Sequence, residues 1–61
     1  MIGLKTRREK AKIPQEKLAY MTNVSLSTVR RWDKSVKTIT ADKLLMLSDI
    51  FGCSVDEIIR G

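Results

Sequence analysis

Histidine is absent from the 61 residues of this chain, and cysteine occurs once, at Cys53. A single thiol forms no internal disulfide, and without histidine the usual nitrogen and sulfur ligand sets for zinc cannot be assembled. Catalysis needs a nucleophile beside a base, or a set of metal ligands, and neither can be built from these residues. No enzyme activity, metal or cofactor is therefore expected, and no small-molecule ligand either. No apolar run approaches the ~18 to 20 residues of a membrane span, and Met1 to Lys10 lacks the apolar stretch of a secretory signal. A soluble, cytoplasmic protein is expected, with Cys53 as a small buried hydrophobe in a reducing compartment. Proline occurs once, at Pro14, and glycine only at positions 3, 52 and 61, so there is no linker and no low-complexity stretch. A sustained alternation of period two, the mark of a strand, is missing as well.

What is present is charge of one sign, unevenly placed. The net charge is +5; residues 1–37 hold ten Lys or Arg against Glu9, Glu16 and Asp33, and residues 38–61 hold only Lys43 and Arg60 against four acids. The first part suits a polyanionic partner and the second does not. A chain this short hides about 60% of the surface its unfolded form exposes, which allows one domain over residues 1–61. With disulfides and metals excluded, stability has to come from well-formed helices and self-association.

Apolar spacing predicts an all-α fold of five short helices. The first, from about Gly3 to Ala11, sets Leu4, Arg8 and Ala11 on one stripe, which places an arginine among residues expected to be buried. The second runs from about Pro14 to Thr22, with proline in the first turn, where its missing N–H is no loss, and with Leu18, Ala19 and Met21 facing inward. Asn23, tolerant of left-handed backbone, marks a tight turn. Ser25 caps the third helix, which continues to about Lys34 with Val29 and Trp32 inward. Thr40 reads as the cap of the fourth, where Leu44, Leu47, Ser48 and Phe51 align before Gly52 ends it. The fifth opens with a capping box, Ser54 to Glu57, and closes with Ile58 and Ile59.

Gln15 to Lys34 is thus a helix, a short turn and a second helix, with the small Ala19 where the two backbones approach. That is helix-turn-helix geometry. Beyond Val29 and Trp32, the second helix of the unit has an outer face of Leu26, Ser27, Arg30, Arg31 and Lys34. Ser27, Arg30, Arg31 and Lys34 recur at i, i+3, i+4 and i+7, an exposed stripe of one hydroxyl and three cations. A major groove takes such a stripe: arginine bonds guanine in two-pronged fashion, apolar groups touch the thymine methyl, and lysine reaches phosphate. A membrane-surface helix would need a broad apolar face, and the first helix offers only Leu4, Ala11 and Ile2.

From Leu4 to Ile59 the chain resembles the Cro and phage-repressor (XRE-type) helix-turn-helix family. The residues that carry the resemblance are Gln15-Glu16-Lys17-Leu18-Ala19, Asn23-Val24-Ser25, Ser27 to Asp33, and Phe51 to Ile59. It implies a five-helix, lambda-repressor-like DNA-binding domain whose third helix enters the major groove. On that pattern Leu26, Ser27 and Arg31 read bases. Gln15 holds a phosphate with help from the N-terminus of the second helix. Thr28, Arg30, Lys34 and Lys37 contact phosphates and fix register. The family pairs an arginine of the first helix with an acid at the end of the third, and Arg8 and Asp33 stand there as a structural ion pair.

The chain also departs from the family pattern. Lys12 stands where a glycine usually ends the first helix, which predicts either strain or a different ending. Pro14 replaces a threonine cap, Arg7 and Thr22 occupy places that are usually apolar, and Ser35 replaces a loop glycine. Met46 and Ile50 stand at positions usually polar or small. They are either extra core or, with Ile39, Val55 and Ile59, a surface joining two copies into the homodimer that is the family's habit. Such a dimer binds a pseudo-palindromic operator. The resulting expectation is a Cro-like or repressor-like regulator from a phage, mobile element or chromosome, acting by occupying double-stranded DNA, its activity set by concentration because there is no room for a sensor domain. The competing expectation is an antitoxin or anti-repressor that works through protein-protein contact.

Overall fold

The computed structural model describes residues 3–60, so Ile2 lies outside the described residues. The helices are α1 (Gly3–Lys10), α2 (Gln15–Thr22), α3 (Leu26–Lys34), α4 (Ala41–Phe51) and α5 (Val55–Arg60), with a single 3-10 turn at Val36–Thr38 between α3 and α4. No strand occurs among the described residues. No helix among them is long and apolar enough to cross a membrane.

Three of the helices stop in the same way. Lys12, Asn23 and Gly52 adopt φ of 58°, 59° and 63°. The next amide in each case reaches back to the carbonyl five residues earlier: Ile13 to Arg8, Val24 to Ala19 and Cys53 to Ser48. Ile13, Val24 and Cys53 then pack on the core. This is the Schellman ending with its hydrophobic contact, and it turns the chain sharply enough for short helices to enclose one core. Lys12 therefore takes the left-handed conformation despite its side chain, at a cost of about 1 kcal/mol. Ser35, by contrast, has φ −151° and ψ 112°, extended backbone that needs no glycine.

The helix starts divide between expectation and correction. Ser25 accepts a hydrogen bond from the Thr28 amide, and Ser54 and Glu57 satisfy each other's amides at 2.8 and 3.1 Å. Pro14 sits one residue earlier than expected, at the N-cap of α2, where its carbonyl accepts from the Leu18 amide. Thr40 occupies the N-cap of α4, but its hydroxyl donates to the Asp42 carboxylate and leaves the first-turn amides uncapped by side chain. That bond holds the Asp42 carboxyl below its ordinary pKa.

The core consists of Leu4, Leu18, Ala19, Val29, Trp32, Ile39, Leu47 and Ile58, with Leu44, Ile50 and Phe51 packed against it. Three inward expectations fail, the first being Cys53, which packs on the core but is only half-buried. Ala11 lies past the end of α1 and is exposed, because the helix ends before it. Met21 is 36% exposed, and Thr22 is fully buried in its place. Leu18, Ala19 and Thr22 share one face of α2, and the Thr22 hydroxyl meets its own needs by donating to the Leu18 carbonyl at 2.8 Å.

Candidate nucleic-acid interface

α2 and α3 pack against each other through a three-residue turn, Asn23 to Ser25. Val29 and Trp32, both buried, fix the rotation of α3, so residues one turn apart on its opposite side must point outward. Ser27, Arg30, Arg31 and Lys34 are exposed accordingly, Leu26 and Thr28 are half-buried at the helix start, and Lys37 is exposed on the 3-10 turn. The outer face of α3 is thus a cationic ridge with one hydroxyl and one apolar side chain at its N-terminal end.

The start of that ridge is already bonded to itself. The Ser25 hydroxyl lies 3.0 Å from the Ser27 hydroxyl and 2.9 Å from that of Thr28. Each is an exposed hydroxyl contact in which either oxygen can donate, so Ser27 and Thr28 can exchange it for an external acceptor at small cost.

Behind α3 lies a network that sequence reasoning found only in part. Arg8 Nη2 is 2.8 Å from Asp33 Oδ2, with both side chains under 10% exposed, and Arg8 Nη1 donates to the Ile13 carbonyl. The pair thus ties α1 both to the end of α3 and to the loop leading into α2. Asp33 Oδ2 also accepts from Gln15 Nε2 at 2.9 Å. Gln15, expected to face a phosphate, is therefore held at the N-terminus of α2 by the same carboxylate that neutralises Arg8, with its second amide N–H still to spare.

Two further residues escaped the sequence reading. Lys5 joins Gln15, Arg30 and Lys34 around an open cleft of about 490 Å³ between α1 and α3, with Arg8 and Asp33 in its wall and the acid Glu9 also on its lining. Lys5 is one turn from Arg8 and Glu9, but nothing local announces the α3 side of that cleft. Lys43 Nζ donates to the Thr22 carbonyl at 2.9 Å and caps the end of α2 from α4, a contact between residues 21 apart in the chain.

The expected partner surface is reduced. Ile39 is 7% exposed and belongs to the core, because the 3-10 turn before it folds the chain back over α5; it cannot line a surface. Ile50 is half-buried against the core, Met46 and Val55 are half-buried, and Ile59 is exposed.

The helix-turn-helix family model matches residues 4–58. This chain belongs to that family. Its fold is the all-α, lambda-repressor-like DNA-binding domain of the Cro and repressor type, and the family is not enzymatic. The chain is similar to the repressor protein C2 of Salmonella phage P22, with 34% identity over 58 residues, 95% of this chain and 27% of the relative. It thus spans about a quarter of that repressor's length. No solved structure matches it significantly.

Proposed function

We propose that the protein is a sequence-specific regulator that binds double-stranded DNA and acts by occupying an operator. The observation that carries this reading is the cationic ridge of α3, propped outward by Val29 and Trp32 within a domain of the helix-turn-helix family. In the major groove Arg31 bonds a guanine edge in bidentate fashion, Ser27 bonds a neighbouring base, and Leu26 lies against a thymine methyl. Gln15, Thr28, Arg30, Lys34 and Lys37 contact phosphates on either side, and Lys5 adds another from α1. These contacts set register and affinity without reading sequence.

Of the residues expected at a partner surface, Met46, Ile50, Val55 and Ile59 keep exposed area for a symmetric contact between two copies, which would set two α3 helices about 34 Å apart, one turn of DNA. The similarity to a protein named a repressor supports the negative sign of regulation. Selection of bound sites from a random duplex pool tests the whole reading: a pseudo-palindromic motif with half-sites about one DNA turn apart is expected. Affinity for the selected site should fall linearly in log–log terms with salt, by about 0.9 per phosphate neutralised. A flat salt response and no enriched motif would overturn the reading, and an Arg31→Ala variant that keeps its DNA binding but loses a protein partner would favour the antitoxin or anti-repressor role.

A further inference from the structure

Arg7 and Arg8 are neighbours in sequence and leave α1 on different sides, with different fates. Arg8 is enclosed by Asp33 and the Ile13 carbonyl. Arg7, with Lys10 and Ala11 one turn further on, lines the flank of α1 opposite Lys5, Arg8 and Glu9, and so faces away from the cleft shared with α3. Across from it stand Ile50 and Phe51 at the C-terminal end of α4, and between them is a second open cleft of about 290 Å³.

Two features of this cleft point to a ligand, beside one unsatisfied donor in its wall. Arg7 Nε is buried without a hydrogen-bond partner, the only buried side-chain nitrogen or oxygen so placed among the described residues. That nitrogen is itself closed off, so an occupant of the cleft meets Arg7 through the part of its side chain that is exposed, 31% of it. The Arg7 guanidinium has only a loose claim on its nearest acid, with Nη2 4.0 Å from Glu57 Oε2 at the rim. Finally, the lining pairs two cations, Arg7 and Lys10, with the apolar Ala11, Ile50 and Phe51 and contains no carboxylate. Arg7 and Ile50 are also two positions at which the chain departs from its family, so the fold brings two of its peculiarities to one place.

We propose that this cleft docks a segment of a partner protein in which a carboxylate lies beside a bulky apolar side chain. The carboxylate meets Arg7 and Lys10 in charge-assisted hydrogen bonds, and the apolar group covers Ile50 and Phe51. The shape favours a protein segment over a free small molecule, because the cleft is open and at the lower end of ligand-pocket volumes, too shallow to enclose a ligand on most sides. A protein segment needs no enclosure, since the surface that carries it supplies the rest of the contact. The cleft lies on the other flank of α1 from the α3 ridge, so the two surfaces can be occupied together, and the proposal does not rest on DNA binding.

The experiment is a titration of the isotope-labelled whole chain with the peptide acetyl-Ala-Glu-Phe-Leu-Ala-amide, followed by amide NMR. Saturable shifts are expected at Arg7, Lys10, Ala11, Ile50 and Phe51, with affinity about tenfold weaker for the peptide carrying Gln in place of Glu and for Arg7→Gln. Lys10→Gln, a substitution at an exposed position, should also weaken binding and guards against a fold defect in the Arg7 variant. The proposal is overturned by shifts along Leu26 to Lys34 instead, by equal binding of the two peptides, by absence of saturation at millimolar peptide, or by concentration-dependent shifts at the same residues without peptide, which would make a second copy the occupant.

Discussion

From α1 to α3 the helices meet around charged and amide groups: Arg8, Asp33, Gln15 and the Ile13 carbonyl form one connected network, and its outer members face the cleft beside the recognition ridge. From the 3-10 turn to α5 the chain is held by Ile39, Leu47 and Ile58, by the glycine ending at Gly52, and by the capping box of α5. In the first region, then, a group that stabilises the fold also orients Gln15, the proposed phosphate contact. In the second the stabilising groups have no such double duty. A substitution that weakens the first region should damage stability and DNA affinity together, whereas one in the second should damage stability alone.

The largest test of that difference removes the shared carboxylate. Asp33→Ala leaves Arg8 buried without its partner and should cost about 3 kcal/mol in urea unfolding, a large fraction of the roughly 3–9 kcal/mol expected for a domain of this length. The double replacement Arg8→Met with Asp33→Leu should recover most of that stability, because a buried pair can be exchanged for apolar groups at little net cost. DNA affinity should not recover, since Gln15 has lost its acceptor. If affinity returns along with stability, the network is structural only and the two regions do not differ in this respect.

Next in size is a change confined to the ridge. Arg31→Ala should cost about 1–3 kcal/mol of binding free energy and relax discrimination at one base pair, while stability moves by less than about 0.5 kcal/mol. Lys5→Ala, in comparison, should weaken all sequences alike and lower the slope of log affinity against log salt by about 1. Competition binding against single-base variants of the selected site separates the two. Equal loss on all variants for Arg31→Ala would make it a phosphate contact.

A smaller pair of changes sets the helix endings of the two regions against each other. Lys12 and Gly52 occupy equivalent left-handed positions, one with a side chain and one without. Lys12→Gly should raise stability by about 1 kcal/mol, and Gly52→Ala should lower it by a similar amount. A Cβ at Gly52 meets nothing within 4 Å, so the cost there is conformational and not a clash. Thermal or urea unfolding of the two variants measures both, and a loss on Lys12→Gly would show that its side chain has a compensating contact.

These contrasts also mark what could be read from the residues in order. Helix existence, the caps at Ser25 and Ser54, the inward Val29 and Trp32, and the outer stripe of α3 follow from local periodicity and side-chain chemistry, which act over one or two turns. Spacing alone sets Met21 inward, whereas the buried position is that of Thr22, a place that is usually apolar in the family; both lie in the last turn of α2, where the rotation is decided by packing. Ala11 was misplaced because the Lys12 ending stops α1 before its stripe is complete. The bonds from Gln15 to Asp33 and from Lys43 to the Thr22 carbonyl join residues 18 and 21 apart, and no local pattern encodes them. Ile39 follows an unexpected 3-10 turn, so its phase had no helix to refer to.

The smallest effect expected lies in the second region and depends on pH. The Ser54 amide donates to the ionised Glu57 carboxylate and holds its pKa below the ordinary 4.5, with the nearby Ser54 hydroxyl and, less, Arg7 pulling the same way. A carboxyl whose pKa is lower folded than unfolded stabilises the fold at pH above its unfolded value, and that contribution is lost as pH falls through the folded value. Asp42, lowered chiefly by the Thr40 hydroxyl, acts in the same direction. Urea midpoints should therefore fall as the solution is taken below about pH 4.5, and Glu57→Gln should flatten part of that fall while leaving DNA affinity at neutral pH unchanged. If Glu57→Gln instead weakens DNA binding, the α5 cap is coupled to the proposed recognition surface after all, and the division between the two regions fails there.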